Sequence, residues 1–205
     1  MKKNHIPFVA LFFLVGFSYG QNGPSDSDRK TANMHLKKTM AHMLSVLDGL
    51  DSLQLHFKPT PDSWSIANCA EHITLSETAF QELLRKTIAE GNDPSKKSEV
   101  SLTDEQLVEA VTQRNRKVKT SERFEPSGKF GSHRETVRAF REKREEQIEY
   151  IMETTDDLRN HFNSDLPFGT VDGVQLLLFM SAHCERHVLQ MEQILASEGF
   201  PIKPE

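Results

Sequence analysis

Apolar residues recur every three or four positions in four long segments of this chain, and no other sequence feature limits its fold as strongly. Residues with this spacing share one face of an α-helix, so each segment predicts a helix with one buried side. The first predicted helix runs from Arg29 to about Leu55. Its buried face consists of Leu36, Met40, Met43, Leu44, Leu47 and Leu50.

The second predicted helix follows a break at Pro59 and Pro61, which cannot continue a helix. Ser63 or Ser65 can cap its first turn, and Gly91 lies near its end. The buried face of this helix consists of Ile66, Cys69, Ala70, Ile73, Phe80, Leu83, Leu84 and Ile88.

Two further long helices are predicted at residues 132–158 and 174–198. A short accessory helix is predicted at 103–117, because Thr103 and Gln106 have the spacing of a capping box. No run of alternating polar and apolar residues predicts a β-strand. The sequence therefore predicts an all-α fold.

The N-terminus has the three parts of a cleavable secretory signal. Two lysines precede an apolar run at positions 6–17, and Ser18 and Gly20 then lie three residues and one residue before Gln21. A helix needs roughly 20 apolar residues to span a membrane, and this run is shorter. Cleavage after Gly20 is therefore favoured over a retained membrane anchor.

These features divide the chain into a signal peptide at residues 1–20, a flexible leader at 21–28 and one bundle domain at 29–205. We expect the mature protein in the periplasm or outside the cell, without a membrane span. The full chain has a formal net charge of −5 and no basic stripe, which disfavours nucleic-acid binding. The expected partner is an unidentified small-molecule substrate, and the sequence leaves open whether the protein is a monomer or a homodimer.

Two histidines on the last predicted helix form the clearest candidate site. His183 and His187 are four residues apart, so their imidazoles lie one above the other on the face that packs inward. Such a pair can bind a metal, but alone it is a weak signal in a chain with nine histidines. It also differs from the zinc-protease motif, because Cys184 stands where that motif has its glutamate.

Several short motifs resemble those of the DinB-like superfamily, in particular its secreted and poorly characterised branch. They are Trp64-Ser65-Ile66, Ala70-Glu71-His72-Ile73, Asp156-Asp157-Leu158-Arg159, and the segment from Ala182-His183 to Arg186-His187. The resemblance implies a four-helix bundle of up-down-down-up order, with a long connection between the second and third helices. It also implies that His72 is the third metal ligand, facing His183 and His187.

Three neutral imidazoles would leave coordination positions open for water or substrate. The resemblance implies a metal-dependent enzyme of the hydrolase or thiol-transferase type, and no residue stands out as a general base. Zinc is the expected divalent metal, with nickel, iron and manganese as alternatives. A non-enzymatic metal-binding or ligand-binding bundle, or a metal-free structural bundle, is also compatible with the sequence.

Other polar and aromatic residues have less specific interpretations. Gln190 can contact a metal-bound water, but a surface amide is the simpler interpretation, and Trp64 is expected to close the bundle end. The mixed charges at 134–146 predict a solvated helix face. Cys69 and Cys184 are expected to be buried free thiols. A separate group of three histidines is expected at exposed or stripe-edge positions: His35, His42 and His56.

The signal predicts a defined mature N-terminus. Mass spectrometry of the protein exported by its native host should find a chain that begins at Gln21, in open or cyclised form. Soluble cytoplasmic protein that retains Met1 would contradict the prediction.

Overall fold

The structure, a computed structural model, describes residues 23–115 and 119–202. The predicted signal peptide at 1–20 lies outside these residues. The helices in chain order are α1 (Asp26–Leu47), α2 (Ser52–His56), α3 (Ile66–Ala89), α4 (Asp104–Thr112), α5 (His133–Glu153) and α6 (Gly173–Leu195). Short 3-10 helices lie at Pro94–Glu99, Glu122–Phe124 and Leu158–Asn160. The fold is all-α, as predicted, apart from two short strands.

Contacts along the helices show that α1 is parallel to α6. The Thr39 hydroxyl lies 3.1 Å from that of Ser181, and one turn later His42 Nδ1 lies 3.0 Å from a Glu185 carboxylate oxygen. Residue numbers thus increase in the same direction on both helices.

Contacts of α3 complete the topology. Glu77 pairs with Arg144 and Gln81 with Glu146, so α3 and α5 are parallel. By contrast, Phe80 of α3 contacts Phe179, near the start of α6, whereas earlier residues of α3 contact later residues of α6. The order is therefore up-down-down-up, and α4 lies in the long connection between α3 and α5.

Side-chain caps determine where the long helices begin. The Ser25 hydroxyl accepts the Asp28 backbone N–H, and the Asp28 carboxylate accepts the Ser25 N–H. This capping box starts α1 three residues before the predicted position, so residues 26–28 belong to a helix. Ser65, one of the two predicted caps, starts α3.

The predicted first helix is two helices. α1 ends at Leu47, and Gly49 has a positive φ of 69°, a left-handed conformation that glycine adopts without steric cost. Asp51 then caps α2 by accepting the Gln54 N–H. The apolar periodicity continues through this turn, which is why the sequence pattern did not reveal the break.

Two strands that the sequence did not predict lie between α5 and α6. β1 (Phe162–Asn163) and β2 (Val171–Asp172) pair antiparallel and are buried. Buried backbone groups need hydrogen-bond partners, and this short ladder supplies them where no helix exists. Each strand has only two residues, too few for a recognisable alternating pattern.

Arg159 joins the beginnings of three helices. Its guanidinium lies 2.6 Å from Asp28 in α1, 2.7 Å from Asp104 in α4 and 2.9 Å from Asp172, the N-cap of α6. Carboxylates are favourable at helix N-termini, and one arginine here neutralises part of their mutual repulsion. This cluster ties the accessory helix to the bundle.

A buried polar layer crosses the middle of the bundle. The Arg144 side chain is 0% exposed and donates to the Glu77 carboxylate and to the Thr39 hydroxyl, which in turn contacts Ser181. Arg144 lies within the segment predicted to be a solvated helix face, so that prediction is wrong at this position. Charge alternation alone does not show which charged residue of a helix points inward.

No helix among residues 23–115 and 119–202 is long and apolar enough to cross a membrane.

The polar layer predicts a large effect of one substitution. Arg144→Met should lower the free energy of unfolding by about 3–5 kcal/mol, because the Glu77 carboxylate stays buried without its cation. Adding Glu77→Leu should recover part of the loss. Arg138→Met removes an exposed pair on the same helix and should cost less than about 1 kcal/mol in the same urea titration. Equal losses for the two arginine variants would contradict the buried pairing.

His42 predicts a pH-dependent contribution to stability. Partial burial lowers the pKa of its imidazole, but hydrogen bonds and charge from Glu185 and Glu192 outweigh it and raise the pKa overall. A raised folded pKa stabilises the fold below the ordinary value of 6.5, and this contribution disappears as pH rises through the folded pKa. His42→Gln should therefore cost about 0.5–1 kcal/mol near pH 5.5 and little near pH 9.

The Glu185→Gln, Glu192→Gln double variant provides the control for His42. In that background His42→Gln should change the unfolding free energy similarly at both pH values. A pH-dependent difference that persists there would show that other groups cause it.

Candidate metal centre

The antiparallel packing of α3 and α6 brings the three predicted histidines together. One ring nitrogen from each of His72, His183 and His187 lies within 4.8 Å of the other two. Ring centroids are separated by 4.4 Å for His72 and His187, 4.7 Å for His183 and His187, and 5.1 Å for His72 and His183. Among the described residues, no other group of histidine, cysteine or acidic side chains converges in this way.

Burial keeps the three imidazoles neutral. His72 is 4% exposed and His187 is 9% exposed. Loss of water is the main cause that lowers the pKa of all three rings, and neighbouring imidazoles also lower those of His183 and His187. With all causes together, the pKa of His187 falls to about 3. A neutral imidazole has a free lone pair on one nitrogen, which is the form that binds a metal.

The distance between two of the rings fits a shared metal ion. His72 Nε2 lies 3.3 Å from His183 Nε2. A zinc–nitrogen distance of about 2.0–2.1 Å in tetrahedral geometry places two ligand nitrogens roughly 3.3 Å apart. His183 Nδ1 is buried and has no hydrogen-bond partner within the described chain, so its Nε2 side makes the polar contact of the ring. The donor set and its spacing therefore fit a divalent metal.

Hydrogen bonds orient the other two rings. His72 Nδ1 donates to the backbone carbonyl of Phe124 at 2.9 Å, which leaves its Nε2 unprotonated. His187 Nδ1 lies 3.0 Å from Gln190 Oε1. Gln190, for which the sequence suggests a surface amide or a contact to a metal-bound water, contacts the candidate ligand His187 directly. Phe124 had no sequence signal, because its backbone carbonyl makes the contact.

Aromatic rings surround the three histidines. Trp64 packs 4.8 Å from the His72 ring and 5.9 Å from the His187 ring, between centroids. Phe80 lies 5.2 Å from His183, edge to face. Trp64 therefore forms part of the wall of the site, a more specific position than the bundle closure that we expected.

Glu71 is a residue of the site that sequence reasoning missed. It adjoins His72, is 8% exposed, and accepts the backbone N–H groups of Ser127 at 3.1 Å and Lys129 at 2.8 Å. These bonds hold the segment that follows Phe124 against α3. Periodicity gave no signal for it, because Glu71 lies off the predicted apolar face of the helix and its partners are backbone N–H groups of a distant segment.

The cysteines lie near the histidines in sequence but not among the converging ligand atoms. Cys69 and Cys184 are free and buried, as predicted. Burial raises the pKa of each thiol to about 12. Both sulfurs are therefore protonated at neutral pH, the form that does not bind metal or attack substrates.

Known proteins with similar sequences include a family and a curated bacterial protein. Residues 35–191 match the family model described as the DinB superfamily. The chain is 26% identical over 151 residues to the uncharacterized protein YuaE of Bacillus subtilis (strain 168). The aligned region covers 72% of this chain and 87% of YuaE. No solved structure matches.

The cluster predicts that metal binding and stability are coupled. A metal that binds only the folded state stabilises it by about 3 kcal/mol at a hundredfold excess over its Kd. Chelation should lower the Tm of protein purified without a histidine tag by several degrees, and zinc should restore it. His72→Ala should have a similarly low Tm and respond little to chelator, whereas His56→Ala, an exposed residue of α2, should respond like wild type. An unchanged Tm after demonstrated metal loss would contradict the coupling.

Proposed function

The chain belongs to the DinB superfamily, and we propose that it is a metal-dependent enzyme of the hydrolase or thiol-transferase type. The observation that carries the proposal is the convergence of three neutral imidazoles, whose ligand nitrogens lie within 4.8 Å of one another. His72, His183 and His187 would hold a divalent metal, with zinc as the first choice and nickel, iron or manganese as alternatives.

Three protein ligands favour a reactive site over a structural one. Structural zinc sites have four protein ligands, whereas catalytic sites keep a position open for water or substrate. A bound metal would supply Lewis-acid activation of a water or thiol near neutral pH. Within the described chain no fourth histidine, cysteine or acidic side chain joins the cluster.

The described residues around the three histidines bind and orient the rings, and none of their side chains is placed to act as a base. The direct polar contacts of the three histidines are a backbone carbonyl, a side-chain amide and each other. Within the described chain, the acidic side chain beside His72 is Glu71, whose Oε1 accepts two backbone N–H groups of a neighbouring segment. Activation of the nucleophile would therefore depend on the metal, and Trp64 and Phe80 would limit the access of bulk water.

The predicted export favours hydrolysis over thiol transfer. Low-molecular-weight thiols are mainly cytoplasmic, and exported proteins meet an oxidising environment. The apolar run at positions 6–17 and the small residues before Gln21 support work in the periplasm or outside the cell.

An activity screen on metal-loaded protein tests the proposal. We expect wild-type protein to hydrolyse p-nitrophenyl esters, to lose this activity on chelation and to regain it with zinc. His187→Ala should retain less than roughly 1% of the wild-type activity. His56→Ala, which changes an exposed histidine outside the cluster, should retain wild-type activity. Transfer of a small thiol to 1-chloro-2,4-dinitrobenzene instead would identify the transferase type. Stoichiometric metal without turnover of any probe would favour the non-enzymatic metal-binding alternative.

A further inference from the structure

Gln190 lies between a candidate metal ligand and an arginine of the α4–α5 connection. Its Oε1 atom is 3.0 Å from His187 Nδ1 and 3.1 Å from Arg114 Nη1. Gln190 follows His187 by three residues on α6, whereas Arg114 comes from the chain just beyond α4. The contact therefore joins two distant segments at one histidine.

The chemistry of arginine determines the orientation of this amide. A guanidinium has only hydrogen-bond donors, so the atom that faces Arg114 must be the amide oxygen and not the amide nitrogen. Arg114 is itself held on α6: Nη1 donates to the Arg186 carbonyl at 3.2 Å, and Nε donates to Gln193 Oε1 at 3.3 Å. Rotation of the Gln190 amide would bring its N–H groups against those of the arginine.

The orientation of the amide in turn determines where His187 carries its proton. An oxygen that faces Nδ1 can only accept, so Nδ1 must be the protonated nitrogen of the neutral ring. The lone pair is then on Nε2. A partner that fixes the tautomer of a ligating histidine in this way is a recurrent feature of metal sites, and its loss typically weakens metal binding 10- to 100-fold.

We propose that Arg114 and Gln190 are positioning residues of the metal centre, which hold His187 in the Nδ1–H form with Nε2 free to bind the ion. The metal-binding part of this proposal rests on the proposed function, whereas the tautomer does not. His187 differs from its neighbours in this respect. His72 is oriented by a backbone carbonyl, and His183 Nδ1 has no partner in the described chain, so substitution of a side chain can test the support at His187 specifically.

The tautomer can be measured on metal-free protein by long-range ¹H–¹⁵N NMR of the histidine rings. Wild type should show His187 with a protonated Nδ1 and an unprotonated Nε2. Gln190→Leu should abolish this pure state, because nothing then prevents the proton from moving to Nε2. Gln193→Leu is the matched control: it removes another amide contact of Arg114 on the same helix, but Arg114 keeps its bond to the Arg186 carbonyl, so the His187 tautomer should stay unchanged.

Metal affinity is the second readout, measured by competition with a chromophoric chelator. Gln190→Leu should weaken zinc binding about 10- to 100-fold, and Gln193→Leu should have no effect. Gln190→Glu keeps an acceptor for both neighbours and should restore the tautomer and the affinity. Arg114→Met should weaken binding less than Gln190→Leu, and Arg114→Lys, which retains a pure donor, should be close to wild type.

Two results would overturn the role of Gln190: an unchanged His187 tautomer in Gln190→Leu, or equal effects of Gln190→Leu and Gln193→Leu on zinc affinity. Failure of wild-type protein to bind any metal would contradict the proposed function. The tautomer measurement, made without metal, would still decide whether Gln190 and Arg114 control the His187 proton.

Discussion

The buried pair of Arg144 and Glu77 is the interaction on which the arrangement of this bundle depends. Apolar attraction is non-directional and specifies helix register weakly, whereas a buried guanidinium must keep its particular partners. Arg144 contacts Glu77 on α3 and Thr39 on α1, and Thr39 contacts Ser181 on α6. Apolar clusters lie on either side of this layer. A single set of contacts thus fixes the register of all four long helices.

That register places the histidines. His183 follows Ser181 by two residues, and His72 precedes Glu77 by five, so the rings face each other just beyond the polar layer. A shift of α6 by one turn against α3 would replace one of the two α6 histidines beside His72 with Phe179 or Met191. Burial on this side of the layer then lowers the pKa of each imidazole and keeps the lone pairs available. The site is therefore a consequence of helix register as much as of ligand identity.

The sequence predicted features that depend on neighbouring residues, such as helices and their caps. It did not predict contacts between residues that are far apart in the chain. Periodicity and caps predicted the helices, with Ser65 as one of two named starts, and the resemblance supplied His72. Arg144 was assigned to a solvated face, because a pattern of charges does not reveal that a carboxylate 67 residues away meets one of them. Arg114 gave no signal for the same reason: its partners on α6 follow 72 to 79 residues later. The break after Leu47 was hidden because apolar residues continue through the turn.

The core of the bundle and the connection between α3 and α5 make different contributions to the site. The long helices supply the three imidazoles, whereas the connection supplies the groups that orient two of them, Phe124 for His72 and Arg114, through Gln190, for His187. Arg159 fixes the start of α4, and Glu71 holds the segment after Phe124, so both ends of the connection are tied to the bundle. A bundle with the same histidines and a different connection would still bring the rings together. The tautomers of His72 and His187 would then not be fixed before a metal binds. Metal binding would have to order these rings as well, which would lower the affinity.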